Sequence, residues 1–133
     1  MSNITITNNT LGTAILKDAE FRDGPLTFIT SATILEGTIL AVDSVTQHFV
    51  AFVKGGTTNE NGIPKAVLTY TVTTPTGGDV QVRVGVAGSY RKERLVIAAD
   101  GDDSNIDQAV IDQLRDYGIV PIDVHELNIL DNQ

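Results

Sequence analysis

The densest run of potential metal ligands lies at residues 100–105, where the chain reads Asp-Gly-Asp-Asp-Ser-Asn. Carboxylates at this spacing suggest a calcium loop, but an EF-hand loop needs glycine at its sixth position and an acidic residue at its twelfth. Asn105 and Ile111 occupy those positions, so the motif fails. Acidic residues before a helix are favoured by the helix dipole. We therefore expect a helix start here and no metal site.

Motifs for nucleophilic catalysis and phosphate binding are also missing. The stretch Gly-Ser-Tyr at 88–90 lacks the second glycine of a nucleophile elbow. The stretch 85–88 is not followed by the Gly-Lys-Ser/Thr of a phosphate loop. Two histidines, His48 and His125, are too few for a multi-histidine metal site, and the chain has no cysteine to act as a nucleophile. The sequence predicts no catalytic residues, no cofactor and no enzymatic activity.

Composition limits the size class and the partners. The chain has 133 residues, which is the length of one domain able to bury its own core. Its net charge of −8 argues against nucleic acid or an anionic membrane as the main partner. No apolar run is long enough to span a bilayer. The N-terminus lacks the basic and apolar regions of a signal peptide.

The negative charge is concentrated at one end of the chain. Residues 100–133 carry nine acidic side chains and one basic side chain, Arg115, whereas residues 1–99 are neutral overall. Burying unpaired carboxylates is costly, so we expect the acidic end to face solvent on the outer side of any assembly. The acids expected to be exposed are Asp102, Asp103, Asp112, Asp116 and Asp131.

Short β-strands are predicted before the acidic end. All 16 threonines lie at or before Thr76, and threonine and valine favour strands. Clear alternation runs through Ala66–Thr74 and again through Asp79–Ala87, with Gln81 and Arg83 facing out. Leu68, Tyr70 and Val72 are predicted to share one face, and inward positions are predicted for Val80, Val82, Val84 and Val86. Further candidate strands are Thr38–Val42, His48–Val53 and Tyr90–Ala98.

One helix is predicted within the acidic end, over residues 104–117. Ser104 is a good N-cap, Asp107 follows it as in a capping box, and Gly118 supplies a C-terminal stop. An extended segment, Ile119–Leu130, comes next. The inward residues at helical spacing are Ile106, Ala109, Val110, Leu114 and Tyr117. The predicted fold class is mainly β with one C-terminal helix, an α+β domain built on a small β-barrel or sandwich.

The first 24 residues differ from the rest of the chain. They are rich in asparagine and threonine, and the alternation at Ile4–Thr7 has no hairpin partner nearby. We interpret residues 1–24 as an extended N-terminal arm that another surface orders, and residues 25–133 as the β-rich domain. The pattern leaves open the alternative that this stretch is an edge strand of the same domain.

Several segments from residue 36 onward follow one another in a distinctive order. They are Gly37–Asp43, Phe49–Phe52 running into Gly55–Thr58, Gly62–Leu68, Val80–Val86, and Gly88–Arg91 running into Leu95–Ile97. In this order they resemble the head decoration (capsid cement) proteins of tailed bacteriophages, the group that includes the lambda decoration protein. The asparagine-rich N-terminal arm also suits that family.

The resemblance implies a β-tulip-like body, no enzymatic activity and no cofactor. It implies a homotrimer, made in the host cytoplasm, that binds the major capsid protein at three-fold sites on the outer surface of the virion. There it would stabilise the expanded head against the pressure of the packaged DNA. We expect the arm to contact the shell through its apolar residues Ile4, Ile6, Leu11, Ile15 and Leu16.

Two other functions remain open from sequence, and one of them is a small hydrolase of unrecognised type. The chain could be a receptor- or carbohydrate-binding β module of a phage or bacterial surface structure. Its lack of tryptophan and its three tyrosines argue against this alternative, because sugar-binding platforms usually stack sugars on aromatic rings.

Overall fold

A computed structural model describes residues 14–28, 32–74 and 79–122. These ranges hold eight strands, one α-helix and one 3₁₀ turn. The strands are β1 (Ile15–Thr27), β2 (Ala32–Ile34), β3 (Ile39–Val42), β4 (Phe49–Ala51), β5 (Ala66–Leu68), β6 (Val72–Thr74), β7 (Asp79–Arg91) and β8 (Ile119–Ile122). The 3₁₀ turn is Lys92–Arg94 and the helix, α1, is Gln108–Asp116.

Five of the strands close into a small barrel. They follow the order β1-β4-β3-β5-β7, and β7 pairs back onto β1. The seam between β1 and β7 is an antiparallel ladder that runs from Ile15 opposite Tyr90 to Thr27 opposite Asp79. Strand β8 extends the sheet beyond β7, while β2 and β6 form a separate two-stranded ribbon. The predicted class, a small β-barrel with one C-terminal helix, is confirmed.

The barrel wall is apolar on both faces where β3 and β5 lie. Ile39 pairs with Val67, and the next pair, Leu40 with Ala66, points to the opposite face because successive strand residues alternate. The inner cluster fills the barrel and consists of Leu26, Ile34, Leu40, Phe49, Ala66, Leu68, Val72, Val82 and Val84. The outer cluster lies under α1 and consists of Ile39, Phe52, Val67, Tyr90, Leu95, Ile97, Ile106, Val110, Leu114 and Ile119.

The predicted alternation of buried and exposed side chains is confirmed in β7. It is wrong for the residues that follow β5. Val82 and Val84 are buried while Gln81 and Arg83 are exposed. Tyr70 was predicted to share a face with Leu68 and Val72, but it is 45% exposed while those two side chains are buried. The predicted strand Ala66–Thr74 splits into β5 and β6, which belong to different sheets, so the alternation does not continue across the break.

The helix is shorter than predicted at its start. Its N-cap is Asp107, whose carboxylate accepts a hydrogen bond from the Val110 backbone N–H at 3.1 Å. Ser104 lies in the preceding turn, where its backbone N–H donates to the Asp102 carboxylate. Gly118 follows the helix with a φ of 87°, as the predicted stop requires.

The face that α1 buries is narrower than predicted. Ile106, Val110 and Leu114 are buried as expected. Ala109 and Tyr117 were also predicted to face inward, but both are exposed. Tyr117 lies at the helix end, where its ring sits 5.7 Å from the Lys65 ammonium. The helix therefore contacts the outer cluster along a single narrow stripe, with Asp112 and Asp116 exposed as predicted.

The N-cap of α1 makes the stability of the protein depend on pH. The Lys54 ammonium lies 2.7 Å from the Asp107 carboxylate, and this bond, then the Val110 N–H, holds the pKa of Asp107 below its usual value. A carboxyl group with a lowered folded-state pKa stabilises the fold above its unfolded pKa, and this stabilisation is lost as pH falls through the folded pKa. We expect Asp107→Asn to be less stable than wild type at pH 7. Urea titrations should show the difference shrinking below about pH 4.

The predicted arm, residues 1–24, extends too far along the chain. Residues 15–24 form most of β1 and pair with β7, so the alternative that this stretch is a strand of the same domain describes them, and the arm prediction is corrected for this part. Because β1 also pairs with β4, it closes the barrel and is not an edge strand. No local pattern could have indicated the pairing with β7, because Thr27 and its partner Asp79 are 52 positions apart. Residues 1–13, with Ile4, Ile6 and Leu11, lie outside the described residues, as do residues 123–133.

Candidate functional site

The N-terminal segment joins the barrel at a fixed point. Ala14 is buried, and its backbone N–H donates to the Glu36 carboxylate at 3.0 Å. Its carbonyl accepts a hydrogen bond of 2.7 Å from the Arg91 backbone N–H. These two bonds hold Ala14, the first described residue, against the barrel, and we call this place the arm exit.

The turn that carries Glu36 is itself tightly held. The Glu36 backbone N–H donates to the Thr71 hydroxyl at 3.0 Å. Gly37 adopts a φ of 90°, and a Cβ on it would collide with the Arg94 carbonyl. Only glycine tolerates both this dihedral and this approach. The turn therefore presents the Glu36 carboxylate at a constant position beside the arm exit.

A groove runs from Glu36 between the β2–β6 ribbon and the segment 95–103. Its first part has a volume of about 320 Å³ and an adjoining part about 130 Å³, and the two share Leu35, Val96 and Gly101 in their walls. Leu35 is 44% exposed although it is a large apolar side chain. The second part is lined mainly by apolar side chains, among them Phe28 and Ile34. We call this feature the arm-exit groove.

The mouth of the arm-exit groove is anionic. Glu36, Glu93, Asp102 and Asp103 line it against one cation, Arg94. The hydroxyl and then the backbone N–H of Ser104 hold the pKa of Asp102 below its usual value, so this carboxylate is ionised at neutral pH. Such a rim repels acidic segments and admits neutral or basic ones.

A second candidate surface lies on the outside of the seam between β1 and β7. Arg83 makes a two-bond contact with Asp23, with Nε 2.9 Å and Nη2 3.3 Å from the carboxylate oxygens. Beside this pair lies Tyr70, and Phe21 is 50% exposed two residues before Asp23. We call these four residues the outer strip. Tyrosine, phenylalanine and arginine are enriched at protein interfaces. Sequence reasoning missed the strip because it placed Tyr70 on one face with Leu68 and Val72 and did not bring it together with Asp23 and Arg83.

The closest approach to a catalytic constellation is at the other end of the seam. The Thr27 hydroxyl lies 2.8 Å from Asp79 Oδ1 and 2.8 Å from His48 Nδ1. The Thr27 hydroxyl donates its proton to the Asp79 carboxylate, and its oxygen stays within hydrogen-bond distance of His48 Nδ1. These bonds connect β1, β7 and the residue that precedes β4 at the place where the barrel closes.

The predicted contact residues fall into three groups. Ile4, Ile6 and Leu11 lie outside the described residues. Leu16 is in β1, and nothing is described of its side chain. Ile15 packs against the outer cluster, so it belongs to the domain and not to a free arm. Ile4, Ile6 and Leu11 are therefore the predicted contact residues that precede Ala14.

The acidic end holds no metal cluster among the described residues. No group of three histidine, cysteine or acidic side chains is placed there to bind an ion. Asp102 is exposed as predicted, whereas Asp103 is only half-exposed because it lines the arm-exit groove. Within the described ranges, no helix has the length and apolar character needed to cross a bilayer.

No protein-family model matches this chain, and no curated protein matches its sequence.

Proposed function

We propose that this chain is a structural decoration (cement) protein that binds the expanded head of a tailed phage at its three-fold sites. It stabilises the shell from the outer surface of the virion and acts there as a homotrimer. The proposal rests on the order of segments that resembles the decoration proteins. The single structural observation that supports it most is the arm exit, where the Ala14 N–H and carbonyl are hydrogen-bonded to the Glu36 carboxylate and the Arg91 N–H of a closed barrel.

The physical argument concerns how a tether transmits force. A flexible attachment would let the body move relative to the shell, whereas an anchored exit transfers load from a bound arm into the barrel. Arg91, which holds the Ala14 carbonyl, is the last residue of β7, and β7 pairs with β1, β5 and β8. Load applied to the arm therefore reaches the sheet through the longest ladder in the domain.

The arm itself is suited to bind by adding a strand to a sheet edge. Residues 1–13 contain no charged side chain, and Ile4 and Ile6 alternate with Thr5 and Thr7. An extended segment that joins a sheet edge gains main-chain hydrogen bonds, and its alternate side chains enter pockets. The major capsid protein is the partner that would supply this edge.

Placing charge on the apolar side of the arm is expected to abolish shell binding. In the double variant Ile4→Asp/Ile6→Asp, burial would desolvate two unpaired carboxylates, and affinity should fall at least about 100-fold. The assay is co-sedimentation with expanded heads assembled from the major capsid protein of a tailed phage. Thr5→Asp/Thr7→Asp is the matched control, with the same added charge on the other side of the alternation, and it should lose far less.

Two outcomes would contradict the proposed role of the arm. One is full-affinity binding by the Ile4→Asp/Ile6→Asp variant, or by a chain lacking residues 2–13, which leaves Ala14 and its two anchoring bonds in place. The other is equal loss in both double variants, which would mean that charge alone repels the shell. Bound subunits should number three per three-fold site, since a trimer satisfies the symmetry of that position.

The carbohydrate-binding alternative is favoured by one observation. The outer strip borders an open depression of about 360 Å³ that is also lined by Gln81. An exposed tyrosine ring beside carboxylate, guanidinium and amide groups is a combination that can stack on a sugar and hydrogen-bond its hydroxyls. A glycan array on which wild type binds and Tyr70→Ala does not would support this function over the decoration role.

A further inference from the structure

We propose that the arm-exit groove is the binding site for the N-terminal segment of the same chain, and that residues 4–11 occupy it when the protein is free. This inference concerns the free protein and stands whether or not the chain binds a phage head. It rests on where the segment leaves the domain, on its length, and on the match between its side chains and those of the groove.

The arm exit brings the segment directly to the groove. Glu36, which accepts the hydrogen bond from the Ala14 N–H, is also a wall residue of the groove. The chain therefore emerges at one end of the groove with no intervening surface to cross.

The segment is long enough to place its apolar residues in the groove. An extended chain advances about 3.3 Å per residue. Leu11 can thus lie up to about 10 Å from Ala14 and Ile6 up to about 26 Å from it. Both parts of the groove are within this reach if the segment follows the groove from Glu36 onward.

The two terminal segments outside the described residues differ in charge. Residues 1–13 carry no acidic or basic side chain, whereas residues 123–133 carry Asp123, Glu126 and Asp131. The anionic rim of Glu36, Glu93, Asp102 and Asp103 would repel the second segment and not the first. The N-terminal segment is therefore the occupant that fits.

The side chains of the segment also match the groove. Ile4 and Ile6 project to one side of an extended chain, and Thr5 and Thr7 project to the other. The isoleucines can cover Leu35 and Val96 in the groove wall, which removes apolar surface from water. The threonine hydroxyls then face the rim and the solvent, where they keep their hydrogen bonds.

The absence of cysteine from the chain allows a direct test by disulfide formation. The variant Ile6→Cys/Leu35→Cys should form an intramolecular disulfide under mild oxidation at micromolar protein. The control Ile6→Cys/Val45→Cys joins the same arm position to a residue that is 74% exposed and lies outside the groove, in the turn between β3 and β4. We expect the first pair to close at least about tenfold faster, because docking raises the effective concentration of the two thiols.

A second measurement does not need a disulfide to form. The thiol of the single variant Leu35→Cys should react slowly with a maleimide in the full chain. It should react several-fold faster when residues 2–13 are deleted or when Ile4→Asp/Ile6→Asp is added. A cooperative thermal transition in each variant shows that the fold has been kept.

Three results would overturn the inference. The first is an equal rate of disulfide closure in the two cysteine pairs. The second is a maleimide reaction rate at Leu35→Cys that does not change when residues 2–13 are deleted. The third is a disulfide that forms only between chains. The last result would assign the groove to the arm of a second copy. None of these measurements involves a capsid, so failure here is distinguishable from failure of the decoration role.

Discussion

Leu114→Ala is expected to lower the free energy of unfolding by about 2–5 kcal/mol, the range for truncating a leucine in a packed core. Leu114 is fully buried in the outer cluster and lies on the face of α1 that contacts the barrel. The helix has only nine residues, and an isolated helix of that length is marginal in water, so its stability comes from this packing. Urea unfolding followed by circular dichroism measures the change.

The control for this prediction is Arg115→Ala, at the neighbouring exposed position of the same helix. Alanine favours the helix at least as well as arginine does, and this substitution removes no core contact. It should therefore change the free energy of unfolding by less than about 0.5 kcal/mol. If Leu114→Ala also costs less than about 1 kcal/mol, the helix does not pack on the barrel as described. A changed m-value would indicate instead that α1 had detached while the barrel remained folded.

Gly85→Ala is expected to destabilise the barrel although it adds a single methyl group. Gly85 lies in β7 between Phe21 of β1 and Val67 of β5, so its backbone is held on both sides. A Cβ built on it would collide with the hydroxyl of Tyr90. Overpacking of this kind typically costs about 1–3 kcal/mol.

Tyr90 cannot easily move aside. Its side chain is fully buried, and its hydroxyl donates to the Ala87 carbonyl at 3.0 Å. Burial raises the pKa of this phenol to about 12, so the donor keeps its proton at neutral pH. The ring is therefore held both by packing and by a hydrogen bond that is available under ordinary conditions.

A double-mutant cycle tests whether Tyr90 is the cause of this cost. Tyr90→Phe removes the oxygen that the new methyl group would meet, at the expense of one hydrogen bond worth about 1 kcal/mol. The cost of Gly85→Ala should be smaller in the Tyr90→Phe background than in wild type. Additive effects in thermal or urea unfolding would show that the strain arises elsewhere.

Features that depend only on neighbouring residues could be predicted from the sequence. Alternation in β7 identified Val82 and Val84 as buried, since a strand repeats every two residues whatever it pairs with. Helical spacing identified Val110 and Leu114 as buried for the same kind of reason. The left-handed stop at Gly118 was also predictable, because it follows from the backbone freedom of one residue.

Local pattern was insufficient wherever a distant residue decided the outcome. The start of α1 shifted from Ser104 to Asp107, whose carboxylate is bonded to Lys54 in a loop 53 positions away. Tyr70 faces outward because β5 and β6 join different sheets. Residues 15–24, too polar to indicate a strand of the barrel, form most of β1 because β7 offers them an antiparallel partner.

The arm-exit groove was decided by the tertiary structure alone. Its walls come from the turn at Leu35–Gly37, from Thr71 and from the segment 93–103, and no short stretch of sequence contains more than a part of it. In the sequence, the acidic and apolar residues that line the groove are scattered over separate segments. Closure of the barrel brings these residues to one mouth, because hydrogen bonds between strands far apart in the chain determine which side chains meet.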